Sequence, residues 1–124
     1  MLIVIKSIPH KEQRYDTCGD YWVEKDSLQV RISKMKNGWY FWLILLHELF
    51  EIMMCLHRKI NFADIDKFDI AFEKKRKAGN VDEPGDDKRS PYMTPHCFAT
   101  AVERMACACL DLSWKEYDDY VAGL

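Results

Sequence analysis

Hydrophobic positions change period along this chain: an almost unbroken apolar run at Leu2–Ile8, alternation at Leu28–Ser33, then helical spacing from Trp39 onward. The first run is rich in β-branched residues and closed by Pro9, which predicts a strand. His10–Gly19 is polar and reads as a loop. Tyr21–Glu24 and Leu28–Ser33 flank the turn-like Lys25-Asp26-Ser27, and Leu28, Val30 and Ile32 alternate with Gln29, Arg31 and Ser33, so a half-buried hairpin is expected. Asn37-Gly38 punctuates, and an apolar helix follows over Trp39–Leu56. Asn61 is placed to cap a second helix whose Phe62, Ile65, Phe68 and Phe72 share one side, with an end near Gly79. Asp-Glu-Pro-Gly-Asp-Asp marks Val81–Ser90 as a loop. Thr94 and Pro95 have the order of an N-cap and first helical residue for a third helix running to about Leu110. Ser113 with Glu116 resembles a capping box for a last short helix carrying Trp114, Tyr117 and Val121. The sum is an α+β fold: a small antiparallel β-hairpin sheet followed by three to four packed helices, one domain over 1–124, with 1–38 the hairpin region and 39–124 the helical region.

The first helix is almost wholly apolar, yet His47, Glu48 and Glu51 stand near its middle. Burying a carboxylate or imidazole without a partner costs several kcal/mol or shifts its pKa, so three together imply something shared. His47 and Glu51 are four residues apart and stand roughly 6 Å from one another at Cβ. Glu48 is rotated about 100° from His47. On the third helix His96, Thr100, Glu103 and Cys107 fall within about 60° of one another. Phe98, Val102, Met105 and Cys109 cluster on the opposite side, so burial over most of that helix's circumference is expected. The polar line of one helix needs the polar line of the other.

These positions suggest a metal site. His47 and Glu51 from one helix and His96 from another form a three-ligand set that leaves a fourth position for water, as catalytic zinc sites do. Glu48, beside that water, has the place of a general base. Glu103 is either a partner orienting an imidazole N–H or a fourth ligand, with Thr100 in support. The competing reading is a metal-free salt-bridge network, with Arg58 or Arg104 neutralising the carboxylates. His57 reads as a helix-end residue, His10 as a solvated loop residue, and Tyr40, Cys55 and Cys107 as packing.

Composition narrows the function classes. Eighteen basic residues against twenty acidic ones leave a net charge of −2, so no broad field draws the chain to nucleic acid or to anionic lipid. Lys74–Lys77 reads as a solvated helix end. Five cysteines without a C-x-x-C pair suggest reduced, buried thiols and an intracellular setting. Met1–Ile5 is too short for a signal peptide. Trp39–Leu56 is nearly long enough to cross a bilayer, but three ionisable groups at its centre argue for a cytoplasmic protein. Oligomeric state is not legible.

HELFE at His47–Glu51, DIDKFDIAFEK at Asp64–Lys74, DEPGDD at Asp82–Asp87 and PYMTPHCFATAVERMACA at Pro91–Ala108 resemble a family of small bacteriophage and prophage proteins, over nearly the whole chain. The resemblance implies expression in the cytoplasm of an infected host cell and says little about reaction. HELFE also resembles, over five residues, the H-E-x-x-H helix of zincin-like metallopeptidases, which implies a metal-dependent hydrolase, with a hairpin edge that would pair with an extended peptide. Glu51 stands where zincins have their second His, and this carboxylate-richer set admits Mn²⁺ or Fe²⁺ beside Zn²⁺. Two other functions stay open. Glu48 and Glu51 with Asp66 and Asp69 resemble the paired carboxylates with which all-α nucleotide pyrophosphohydrolases hold Mg²⁺. A non-enzymatic phage protein that binds a host protein is the third, with Asp82–Asp87 as its contact loop or merely a solvated connector.

Overall fold

A computed structural model describes all residues, Met1–Leu124. Three strands, Leu2–Ile8 (β1), Gly19–Glu24 (β2) and Ser27–Ser33 (β3), form one sheet in the order β1-β3-β2. Four helices follow: Gly38–His57 (α1), Phe62–Lys74 (α2), Met93–Cys109 (α3) and Trp114–Ala122 (α4). The architecture is α+β, as the residue pattern predicts. The hairpin of β2 and β3 is antiparallel, but β1 lies parallel to β3 on its other edge, so the sheet is mixed. The chain from Pro9 to Cys18 therefore crosses over to start β2 on the far side. His10 pins that crossover, bonding Ser33 Oγ at 2.9 Å and Asp16 at 3.0 Å, and so is not the solvated residue expected.

β3 is paired along both edges and is also covered on both faces. Leu28, Val30 and Ile32 enter the core, while Gln29 and Ser33 on the other face are also buried. Arg31 donates to Gln29 at 2.6 Å, and the guanidinium groups of Arg14 and Arg31 stack on Trp22 at 4.3 and 5.2 Å. Alternation in sequence thus marks two buried faces of different polarity, not one buried and one wet.

Asn37 caps α1 by accepting from Trp39 N at 2.9 Å, and Asn61 caps α2 by accepting from Ala63 N at 2.8 Å. Ser113 does the same for Glu116 N at 3.2 Å in α4. Two helix ends differ from expectation. α2 stops at Lys74, because Arg76 folds back onto Glu73 and the carbonyls of Asn80 and Asp82. α3 starts at Met93, so Thr94 and Pro95 lie inside its first turn, where a missing N–H costs nothing. Tyr92, at the cap position, is buried with its hydroxyl donating to Asp69 at 2.7 Å.

The core lies between the sheet and α1: Tyr21, Leu28, Val30 and Ile32 meet Tyr40, Leu43, Ile44 and Ile52, closed by Ile65, Tyr92, Cys107 and Tyr117. α3 packs along α1. By length and composition α1 is apolar enough to cross a bilayer; in the fold about half of it is buried. The expectation of a nearly encircled α3 is overturned. Its polar line is the buried side, and Met105 on the supposed core side is 69% exposed. Trp39, Trp42, Met53 and Leu56 of α1 face outward as well, since no third layer covers either helix. Cys97 and Cys109 are exposed for the same reason, and all five thiols are free.

Ile32 is fully buried, so truncating it removes apolar contact and leaves a cavity. Ile32→Ala is expected to cost about 2–5 kcal/mol in urea unfolding while leaving the far-UV spectrum of the folded state unchanged.

Candidate metal centre

One turn of α1 delivers His47, Glu48 and Glu51, and two turns of α3 deliver His96 and Glu103. All five are buried: Glu51 is 4% exposed, Glu103 6%, His96 7%, and His47 and Glu48 8%. His47 Nε2 lies 3.1 Å from Glu51 Oε2, His96 Nδ1 lies 3.0 Å from that same oxygen, and the two ring nitrogens are 3.3 Å apart. Three donor atoms thus converge on one point. Bonds of about 2.0–2.1 Å at tetrahedral angles place neighbouring ligand atoms about 3.3 Å apart, so the triangle has the dimensions a zinc ion requires. His47, Glu51 and His96 are thus spaced as the ligands of such an ion would be.

The atoms facing away from that point are also occupied. Glu103 Oε1 sits 2.8 Å from His47 Nδ1, and Glu83 Oε2 sits 2.9 Å from His96 Nε2. Tyr21 donates its hydroxyl to Glu51 Oε1 at 2.7 Å, and Tyr117 donates to Glu103 Oε2. Each imidazole is therefore backed by a carboxylate, the arrangement that fixes tautomer and ring orientation in metal centres. Glu103 stands outside the triangle of donor atoms. It grips the far nitrogen of His47, one bond removed from the shared point. Thr100 does not support the site either, since its hydroxyl bonds the His96 carbonyl of its own helix at 3.0 Å.

Neither arginine named as a neutralising partner reaches the cluster. Arg58 is exposed at the end of α1, and Arg104 stacks on Trp114 at 4.9 Å. Protonated imidazoles are the only positive charge among these carboxylates. Burial alone would push the His47 imidazole down, but its bonds to Glu103 and Glu51 outweigh that and hold its pKa well up. His96 behaves alike, burial opposed by bonds to Glu51 and Glu83, and is raised to about 10. Burial raises Glu51, yet the two imidazoles bring it down to about 2. The metal-free cluster is thus held by two protons aimed at one carboxylate oxygen, where a single divalent ion has the same charge.

Glu48 is different. Its carboxylate makes no hydrogen bond within the protein, and burial followed by the neighbouring Glu51 pushes its pKa well above the carboxylate range. It lines a cavity of about 500 Å³ together with His47, Glu51 and His96. Gly19 at the start of β2 backs it. A Cβ there would overlap the Glu48 carboxylate, so glycine leaves the space that carboxylate needs.

Sequence reasoning missed Tyr21, Tyr117 and Glu83 as supports of the cluster. Tyr21 was legible only as an inward position of a strand. Glu83 lies in the segment read as a contact loop or solvated connector, but Gly85 beside it packs so closely on the His96 ring that a Cβ would overlap it. The loop is therefore part of the site. Asp69 accepts hydroxyls from Tyr15 at 3.1 Å and Tyr92 at 2.7 Å, and burial, against those two bonds, lifts it to about 7. Asp66 is ion-paired with Arg14, which also clasps Asp20. Asp66 and Asp69 are committed to these partners, and the four carboxylates of the pyrophosphohydrolase reading do not converge on one point. His57 and Tyr40 sit as expected, one at an exposed helix end and the other buried against Tyr117 and Tyr120. Cys55 and Cys107 are buried in the core.

Comparison of the chain with family models, with curated proteins and with solved structures finds no match, so the site is read from its own geometry.

The protons define a pH test. His96 is raised from 6.5 to about 10, so its contribution to stability is complete below about pH 6.5 and is lost as pH rises through about 10. A bound divalent ion takes the place of those protons. Urea unfolding of EDTA-treated protein is expected to show stability falling between pH 6.5 and 10, and zinc-loaded protein is expected to keep its stability across that window. Loading at pH 7 should release protons, measurable by calorimetry in buffers of different ionisation enthalpy.

Proposed function

We propose that this protein is a metal-dependent hydrolase of the zincin type, with a peptide as its substrate class. The observation that carries the proposal is the triangle of His47 Nε2, Glu51 Oε2 and His96 Nδ1, with an unpartnered buried carboxylate, Glu48, lining the same cavity. His47, Glu51 and His96 would hold the ion, with zinc the first choice and manganese or iron admitted by the Glu51 carboxylate. Such an ion supplies Lewis acidity toward a carbonyl oxygen and makes water acidic near neutral pH.

The chain's own groups do the rest. Glu103 and Glu83 fix the two imidazoles, and Tyr21 fixes Glu51, so the ligand atoms are preorganised. Glu48 has no competing hydrogen bond and lines the same cavity, the place of a group that takes a proton from the attacking water and returns it to a leaving amine. The likeness of the motifs to bacteriophage proteins would place the reaction in the cytoplasm of an infected cell, with a peptide or host protein as partner.

Two measurements test this reading. Protein purified without a polyhistidine tag is expected to hold about one equivalent of transition metal, and His47→Ala to lose it; less than about 0.1 equivalent after reloading removes the proposal. Glu48→Gln is expected to retain metal and fold while lowering peptide hydrolysis by about 10²–10⁴-fold, the usual contribution of a positioned proton-transfer group.

A further inference from the structure

The cavity in front of the triangle is one-sided in charge. Twelve acidic residues line it; Arg14 pairs with Asp20 and Asp66, Arg76 with Glu73, His10 with Asp16, and the two imidazoles with Glu51, Glu83 and Glu103, which leaves the acids of the mouth unmatched. Arg76 is tied to Glu73 at 2.7 Å, and so adds no free positive charge. At the mouth, Asp82 and Asp118 have no cationic partner, and Asp86 reaches only His96, at 3.5 Å. Asp82 and Asp86 belong to the loop fastened on His96, and Asp118 projects from α4. Within the cavity Glu48 is the independent sign of a ligand: a carboxylate 8% exposed, without a hydrogen bond, that lines the open space. One divalent ion at the triangle offsets only part of this charge.

Carboxylates that face one another without a cation repel, and a low-dielectric cleft of one sign focuses its field on what enters. An anionic substrate, a nucleoside triphosphate included, would meet that field as a barrier. A peptide carrying Lys or Arg beside the bond to be cut would find Asp82, Asp86 and Asp118 at the reach of a long side chain, while its carbonyl faces the triangle. We propose that the cavity selects basic peptides, with Asp82, Asp86 and Asp118 receiving a Lys or Arg side chain of the substrate. This rests on the hydrolase reading above and gives its substrate class.

The test uses binding, so that it stands apart from catalysis. The full zinc-loaded chain is titrated with fluorescein-labelled, end-blocked octapeptides of one alanine-glycine background carrying two lysines, two norleucines or two glutamates, and anisotropy is read at low and at moderate salt. The lysine peptide is expected to bind at least about tenfold more tightly than the glutamate peptide at low salt, the preference shrinking as salt rises. Asp82→Asn/Asp86→Asn/Asp118→Asn is expected to abolish the preference while keeping its zinc. Should the triple variant fail to fold, Asp118→Asn alone, on an exposed helix position, is expected to reduce it measurably. Equal binding of the three peptides, or an unchanged preference in a folded variant, overturns the proposal. So does stoichiometric binding of calcium that displaces the lysine peptide, which would make the mouth a second cation site. Loss of metal uptake or hydrolysis with the peptide preference intact would instead count against the hydrolase reading alone.

Discussion

Five buried side chains, two imidazoles and three carboxylates, have to share one small volume between α1 and α3. That constraint explains more of this structure than the apolar core does. A core of Val30, Ile32, Leu43 and Ile44 would accept several arrangements of helices on a sheet. The contact of His47, Glu51 and His96 at 3.0–3.3 Å accepts very few, because each misplacement leaves a charge buried and unpaired. The two helices are held in register by the chemistry of their polar lines, and the surrounding hydroxyls of Tyr21 and Tyr117 complete the arrangement.

The same constraint reaches into parts of the chain that look incidental. Gly19 is where the first residue of β2 must give way to a carboxylate, and Gly85 is where a loop backbone lies on an imidazole ring. Glu83 ties that loop down. The acidic segment Asp82–Asp87 is therefore both a wall of the site and, through Asp82 and Asp86, a charged mouth to it. Function and fold share residues here, so removing His47, Glu51, His96 or Glu103 also loosens the packing of α1 against α3.

The outward faces of α1 and α3 show the converse. Trp39, Trp42, Met53 and Met105 are apolar yet exposed, because no third layer covers the outer side of either helix. Helical apolar periodicity ordinarily points at the core. On α3 it points away, because the buried side is taken by His96 and Glu103, whose partners His47 and Glu51 stand on α1.

The residue pattern by itself determined the element order, most of the helix caps and the membership of the cluster. Asn37, Asn61 and Ser113 cap by short-range bonds that local sequence dictates, and His47, Glu51 and His96 are conspicuous because charge is costly among apolar neighbours. Tertiary structure alone decided the parallel pairing of β1, the buried side of α3 and the role of each carboxylate. Glu51 and Glu103 have the same chemistry and both lie along a polar line. Only the crossing of two helices makes one of them a donor to the shared point and the other the group that grips His47 from behind. Spacing along one helix fixes direction around its own axis, whereas distance across to another element depends on how the whole chain closes.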